Sequence, residues 1–398
     1  MSASDQLQDK MQVAPLQLIV HDSCRKLGEE VNEYLVESRR QINHDHKATP
    51  EYFDYERDTY MTEFICPRFG TGEGKAELKE SVRGKDVYIL ADVVNHSLTY
   101  RLNSYVNHMS PDDIYSDVKR IIAAIAGKAH RITVILPFLY ESRQHKRYGR
   151  ESLDCATALL ELHAMGVNNI VTFDAHDPKV QNATPLYGFD NFTPPYQFIQ
   201  ALIHSEKDLI IDKDHLVVIS PDEGALDRAV YFAGVLGVDT GMFYKRRDYS
   251  RVVNGKNPIV AHEFLGDNID GKDVIIIDDM ISSGGSMIDT AKQLKDMNAK
   301  RVFICCTFGL FTDGIAAFDE AYEKCYFDKI IVTNLNYHDP AINSRPYFIE
   351  ANLSRFLASI IDFLNHDAAL SAVHTPTDKI RQILSQYNSR LDDEDVME

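Results

Sequence analysis

Two adjacent carboxylates, Asp278 and Asp279, close the apolar run 274–277. Five small residues follow, Ser282, Ser283, Gly284, Gly285 and Ser286. Then comes a stretch with apolar residues at Ile288, Ala291, Leu294 and Met297, the spacing of one helix face. A strand ending at Asp278 delivers its loop to the carboxyl edge of a sheet, where open α/β folds bind ligands. Small residues let backbone N–H groups close on an anion, and the following helix start adds partial positive charge. Two acids beside such a cradle would repel a phosphate unless they served another part of the same ligand. A sugar diol suits them, because carboxylates accept from both hydroxyls, directly or through a metal. Residues 278–286 therefore predict a site for ribose 5-phosphate; the plainer alternative is a strand–turn–helix with a serine cap.

Other polar sets carry two readings each. Asp174 and His176, in FDAHD (173–177), fall on one face if the segment is extended. They then either hold a divalent cation or pair with each other. Asp222, in SPDEG (220–224), either caps a helix or serves the ligand. The basic stretch YKRRDYSR (244–251), with Lys245 and Arg247, is either a solvated loop or a set of cations for transferring phosphates. A second basic stretch, ESRQHKRYGRE (141–151), is open in the same way. GTGEGK (70–75) matches no phosphate-loop pattern and by itself reads as a turn.

The elements that would position these residues are legible as apolar runs of strand length: LQLIV, VYILA, TVILPFL, IVTFDA, LVVIS, VIIID, VFICC and IIVTNL. Amphipathic stretches such as DVKRIIAAIAG and DCATALLELHAMG lie between several of them. Continuous rather than alternating apolar strands predict sheets covered on both faces. The 398 residues therefore read as two similar α/β domains, each a mostly parallel sheet flanked by helices. The expected domains are 16–188 and 189–349, with a helix over 350–366 returning to the first and an acidic mobile tail over 376–398. Residues 40–62 read as an inserted loop.

The balance of 42 basic against 60 acidic residues gives −18, which excludes a general nucleic-acid or acidic-membrane binder. Six scattered cysteines form no C-x-x-C pair and predict free thiols in a reducing compartment. A polar N-terminus and the lack of any apolar run of spanning length predict a cytoplasmic protein with no membrane partner.

Taken in order, RFGTGE (68–73), ESVRGKDVY (80–88), Arg143-Gln144, FDAHD, SPDEG, KRR (245–247) and DDMISSGGS (278–286) resemble the ribose-phosphate pyrophosphokinases, also called phosphoribosyl pyrophosphate synthetases. The likeness extends over roughly residues 16–365. It implies two phosphoribosyltransferase-type domains and transfer of the diphosphate of ATP to O1 of ribose 5-phosphate, releasing AMP. It also implies Mg²⁺, a homo-oligomer (dimer or hexamer), and an active site between the domains that borrows the ATP loop of a neighbouring subunit.

By position, the resemblance implies that Phe69 and Arg143 sandwich adenine, with Thr71, Glu73, Gln144 and His145 nearby. His176, with Asp174 or Asp222, would serve Mg²⁺, and Lys245 and Arg247 would sit on a mobile catalytic loop. Asp278, Asp279 and residues 282–286 would hold ribose 5-phosphate. The chain departs from the family pattern at Gly70 and Thr71, at His145 where an acid is usual, at Pro185 and at Ser282. It also carries extra residues around 40–62 and 97–112. A non-catalytic regulatory homologue and a class I phosphoribosyltransferase are the competing readings.

Overall fold

The computed structural model describes residues 7, 10–46, 54–247, 259–371 and 376–395. The chain divides into two compact bodies. The first comprises the chain up to Thr193 with 334–337 and 352–375; the second comprises 194–333, 338–351 and 376–398.

The sheet of the first body runs β1 (Leu16–Val20), β4 (Asp86–Leu90), β7 (Arg131–Ile135), β8 (Asn169–Phe173) and β9 (Gly188–Phe192), in that spatial order. All four pairings are parallel. The division falls after Thr193 rather than at the expected 188, and 188–192 is the edge strand of this sheet. Helices α1 (Arg25–His46), α2 (Pro111–Ile125), α3 (Asp154–Ala164) and α8 (Ser354–Asn365) belong to this body. Two small antiparallel hairpins stand outside the sheet: β2 (Phe64–Ile65) with β3 (Glu77–Leu78), and β5 (Thr99–Leu102) with β6 (Tyr105–His108).

Residues 40–62 are not one inserted loop, since α1 continues through His46. The aromatic content of that stretch has a packing reason. Tyr55 and Tyr60 are buried, with the Arg39 guanidinium 4.6 Å and 5.0 Å from their ring centroids. Arg39 also donates to Asp362 Oδ1 at 2.9 and 2.7 Å and to Asn365 at 2.6 Å, which ties α8 to α1.

The second body has a seven-stranded sheet. Its strands are β10 (Leu216–Ser220), β11 (Asp239–Arg247), β12 (Ile259–Leu265), β13 (Asp273–Ile281), β14 (Val302–Gly309), β15 (Lys329–Thr333) and β16 (Phe348–Ala351), in the order β12-β11-β10-β13-β14-β15-β16. Only the β11–β12 pairing is antiparallel. Its helices are α4 (Pro195–Ser205), α5 (Leu226–Leu236), α6 (Gly285–Asp296), α7 (Ala316–Glu323) and α9 (Thr377–Asp395). Every residue of β14 is buried, Cys305 and Cys306 included, as strands covered on both faces require.

The acidic mobile tail expected over 376–398 is corrected, since 377–395 is helix. Ile380, Ile383, Leu384 and Tyr387 recur at helical spacing, and α9 packs on α4 and α5. Ile380 and Tyr387 are buried, and the Tyr387 hydroxyl donates to the Glu206 carbonyl at 2.9 Å. Charge in the last residues masked an apolar face in the preceding two turns.

Candidate active site

In the second sheet, the connection leaving β10 goes to β11 on one side and the one leaving β13 goes to β14 on the other. The strand order therefore reverses between β10 and β13, the place where open α/β sheets leave a crevice at the carboxyl ends of their strands. Strand β13 pairs with β10 only through Ile276 but with β14 as far as Ile281. The strand thus runs three residues beyond the Asp278 end expected from sequence. Its stretch 277–281 is supported on the β14 side alone, so Asp278 and Asp279 stand beyond the end of β10, at the reversal.

The two carboxylates differ. Asp279 is buried at 4 % exposure, and its N–H donates to Asp278 Oδ1 at 2.8 Å. Arg228, from α5, reaches Asp278 Oδ1 at 3.5 Å. Burial, and then the Asp279 charge, hold the Asp278 carboxyl well above the ordinary carboxylate range; Arg228 opposes them. The half-buried Asp278 carboxyl thus has a charge of its own sign beside it, from Asp279, and a partial counter-charge from Arg228.

The bend after β13 is pinned on one side. Leu310 N donates to the Ile281 carbonyl at 2.8 Å and Thr312 N to the Ser282 carbonyl at 3.0 Å. Gly284 has φ +88°, and a Cβ there would stand 2.1 Å from the Phe318 ring, so both conformation and space require glycine. Gly285, which opens α6, faces open space, and Ser283, Gly285 and Ser286 are exposed. The first turn of α6 borders that space, and a helix start carries partial positive charge.

Lys245 and Arg247 lie in β11 rather than in a loop, paired in backbone register with His262 and Ile259. Pairing of β11 with β10 stops at Met242, so residues 243–247 project past the carboxyl end of β10, the same edge as Asp278. Their side chains, and all of 248–258, lie outside the described residues. Asp222 does what a helix cap does: its Oδ1 accepts from Gly224 N at 2.9 Å at the entry to α5.

In the first body, residues 68–74 form a hairpin turn. Arg68 and Gly74 are bridged antiparallel, Phe69 N donates to the Glu73 carbonyl at 2.8 Å, and Gly72 N to the Phe69 carbonyl at 2.8 Å. Phe69 is 53 % exposed, an apolar ring held outward. Thr71 Oγ1 donates to Glu73 Oε2 at 2.9 Å, which sets both side chains. The turn is fastened by a residue that sequence reasoning passed over. Arg68 makes a bidentate pair with the buried Asp117 of α2, at 2.6 and 2.8 Å. A basic residue next to an exposed aromatic was the available signal, but its partner lies 49 residues away.

The stretch 141–145 and the segment expected to hold a metal come together at the carboxyl end of the first sheet. Strand β8 stops at Phe173, and Asp174 takes φ +42°, so Asp174 and His176 are not two residues of one extended face. His176 N donates to Ser142 Oγ at 3.0 Å, next to the exposed Arg143 and Gln144. The His145 and His176 rings are 5.4 Å apart edge to face, and His145 Nε2 is 3.5 Å from Asp177 Oδ2. Burial lowers the His145 pKa, with Asp177 acting the other way, and its Nδ1 is buried without a hydrogen-bond partner.

Among the described residues, no three His, Cys, Asp or Glu side chains already converge as a metal cage. Mg²⁺ does not ask for one, since it keeps several waters and takes one or two protein donors plus substrate phosphates. The buried Asp174 carboxyl beside His176 fits an ion carried in that way. Asp222 belongs to the second body.

The fold is that of a solved phosphoribosylpyrophosphate synthetase. The crystal structure of that enzyme from Mycobacterium smegmatis matches with a TM-score of 0.69 at 23 % identity, over 89 % of this chain and 99 % of that one. The profile for the N-terminal domain of ribose phosphate pyrophosphokinase matches residues 16–166, and that for the phosphoribosyl transferase domain matches 195–339. Ribose-phosphate pyrophosphokinase of Corynebacterium glutamicum is 30 % identical over 290 residues, 73 % of this chain and 81 % of the relative. That of Corynebacterium efficiens is 31 % identical over 293 residues, with the same two shares, 73 % and 81 %. The chain belongs to the ribose-phosphate pyrophosphokinase family. No described helix is long and apolar enough to cross a membrane.

Proposed function

We propose that this protein is a cytoplasmic ribose-phosphate diphosphokinase. It transfers the β,γ-diphosphate of ATP to O1 of ribose 5-phosphate and releases AMP. The observation that carries the reading is the β13 edge: two unlike carboxylates at the point of strand reversal, followed by a bend that only glycine can make. Phosphate sits on the N–H groups of 283–287, and the pentose diol meets Asp278 and Asp279. The 1-hydroxyl is then the free nucleophile.

Phosphoryl transfer asks mainly for alignment and charge neutralisation. Pinning the pentose at both ends turns a bimolecular attack into a near-unimolecular one. Phe69 and Arg143 hold the adenine of ATP, with Thr71, Glu73, Gln144 and His145 around it. Lys245 and Arg247 meet the charge that grows on the transferring phosphates and on departing AMP. Mg²⁺, when bound with ATP near His176 and Asp174, supplies charge neutralisation on the phosphate oxygens. A second copy of the chain is the partner expected of this family, as a homo-oligomer.

Incubating the protein with ATP, Mg²⁺ and ribose 5-phosphate tests the reading. AMP should form only when the pentose is present. Release of ADP, or no pentose dependence, would contradict it.

A further inference from the structure

Beside the turn 68–74 stands the β5–β6 hairpin. Its tip is Asn103-Ser104, at φ +47° and +70°, the two-residue turn that matches strand twist. Strand β5 alternates exposed and half-buried residues, so Tyr100 and Leu102 share one face while Thr99 and Arg101 share the other. That half-buried face meets the turn. The Arg68 guanidinium lies 5.7 Å from the Tyr100 ring centroid. The Leu102 Cδ1 methyl stands 3.1 Å from where a Cβ on Gly72 would be, and Gly72 is at φ +91°.

The same stretch of chain then reaches the turn a second time. A capping box at Ser110 and Asp113 starts α2 directly after β6. Asp117 of that helix takes Arg68 in its bidentate pair, and Arg120 joins at 2.7 Å. A Cβ on Gly74 would stand 2.4 Å from the Arg68 guanidinium, so the base of the turn is closed as well. One continuous segment, 99–120, thus grips the turn from a hairpin face and from a helix.

We propose that the β5–β6 hairpin is a brace that fixes the 68–74 turn in its ATP-binding shape, with Tyr100 and Leu102 as positioning residues for ATP affinity. The proposal deepens the diphosphokinase reading and rests on it for the identity of the ligand. Tyr100 covers the guanidinium that anchors the turn, and Leu102 covers Gly72, where the backbone has no side chain of its own. Neither residue touches the reacting phosphates. Their loss acts on how well the turn is formed before ATP arrives, hence on binding rather than on the chemical step.

The test uses the full chain with Tyr100→Ala, Leu102→Ala and the conservative Tyr100→Phe, beside Tyr105→Ser at the exposed start of β6. Hydrogen exchange of the Phe69 and Gly72 amides reads the turn directly and needs no ligand. Exchange should be about fivefold faster in the two alanine variants and unchanged in the other two. KM for ATP should rise by about the same factor with kcat within about twofold. Unchanged exchange at Phe69 and Gly72, or a loss confined to kcat, overturns the brace. If an alanine variant does not fold, the other one and Tyr100→Phe still decide. Faster exchange in a protein that never releases AMP sustains the brace and defeats the diphosphokinase reading instead.

Discussion

Burial, and then the Asp279 charge, disfavour ionisation of the Asp278 carboxyl before any ligand arrives. Asparagine at this position keeps an oxygen to accept from Asp279 N and removes the charge. Asp278→Asn should therefore stabilise the second body, by about 1 kcal/mol or more, while weakening ribose 5-phosphate binding. Urea unfolding and pentose titration check the two halves of that statement. Lys245 is assigned the opposite kind of work, acting on the transition state. Lys245→Ala should leave ribose 5-phosphate binding near normal and lower kcat by roughly 10³-fold or more. Near-normal turnover would remove it from the mechanism. Asp92 in the first body gives a pH test. Its carboxylate accepts from Val94 N at 3.0 Å and Tyr337 N at 2.8 Å, yet burial pushes its pKa up to about 7. The folded state therefore holds this proton more tightly than the unfolded chain. Its contribution to stability is full below the unfolded value of about 4 and is lost as pH rises toward 7, at most about 4 kcal/mol. The stability of Asp92→Asn should vary less between pH 5 and 7 than that of the wild type.

At the scale of elements, the bend between β13 and α6 depends on a glycine in two independent ways. Gly284→Ala would strain a φ of +88° and drive a methyl into the Phe318 ring. The expected cost is about 2–4 kcal/mol, with loss of ribose 5-phosphate affinity, read by thermal unfolding and by binding. This bend was legible in sequence because its signals are local: an apolar run, acids, then small residues, then helical spacing. The eight apolar runs were legible for the same reason. The extent of β13 was not, because Met280 and Ile281 pair with Phe308 and Gly309, which lie far along the chain. The Arg68–Asp117 clasp and the reach of Arg228 to Asp278 were hidden for that reason too. Asp174 misled in a different way: its left-handed backbone breaks the two-residue alternation from which a shared face with His176 was read. In α9, a run of acids near the end obscured the apolar spacing of Ile380, Ile383, Leu384 and Tyr387.

For the molecule as a whole, each α/β body carries its own part of the proposed site. The first holds an outward aromatic on a clasped turn and an Asp–His segment at the carboxyl end of its sheet. The second holds the paired acids and the glycine bend at the point of strand reversal. Membership of the family accounts for both bodies in one chain, since its N-terminal and phosphoribosyl transferase profiles match successive stretches. The diphosphokinase reading requires that both bodies work on one reaction. Following the γ-phosphorus of labelled ATP tests this most directly, in a mixture that also contains Mg²⁺ and ribose 5-phosphate. The label should appear in 5-phosphoribosyl 1-diphosphate, with one unlabelled AMP released for each pentose consumed. Label recovered only as inorganic phosphate, or left in ATP while the pentose stays unchanged, would contradict the account.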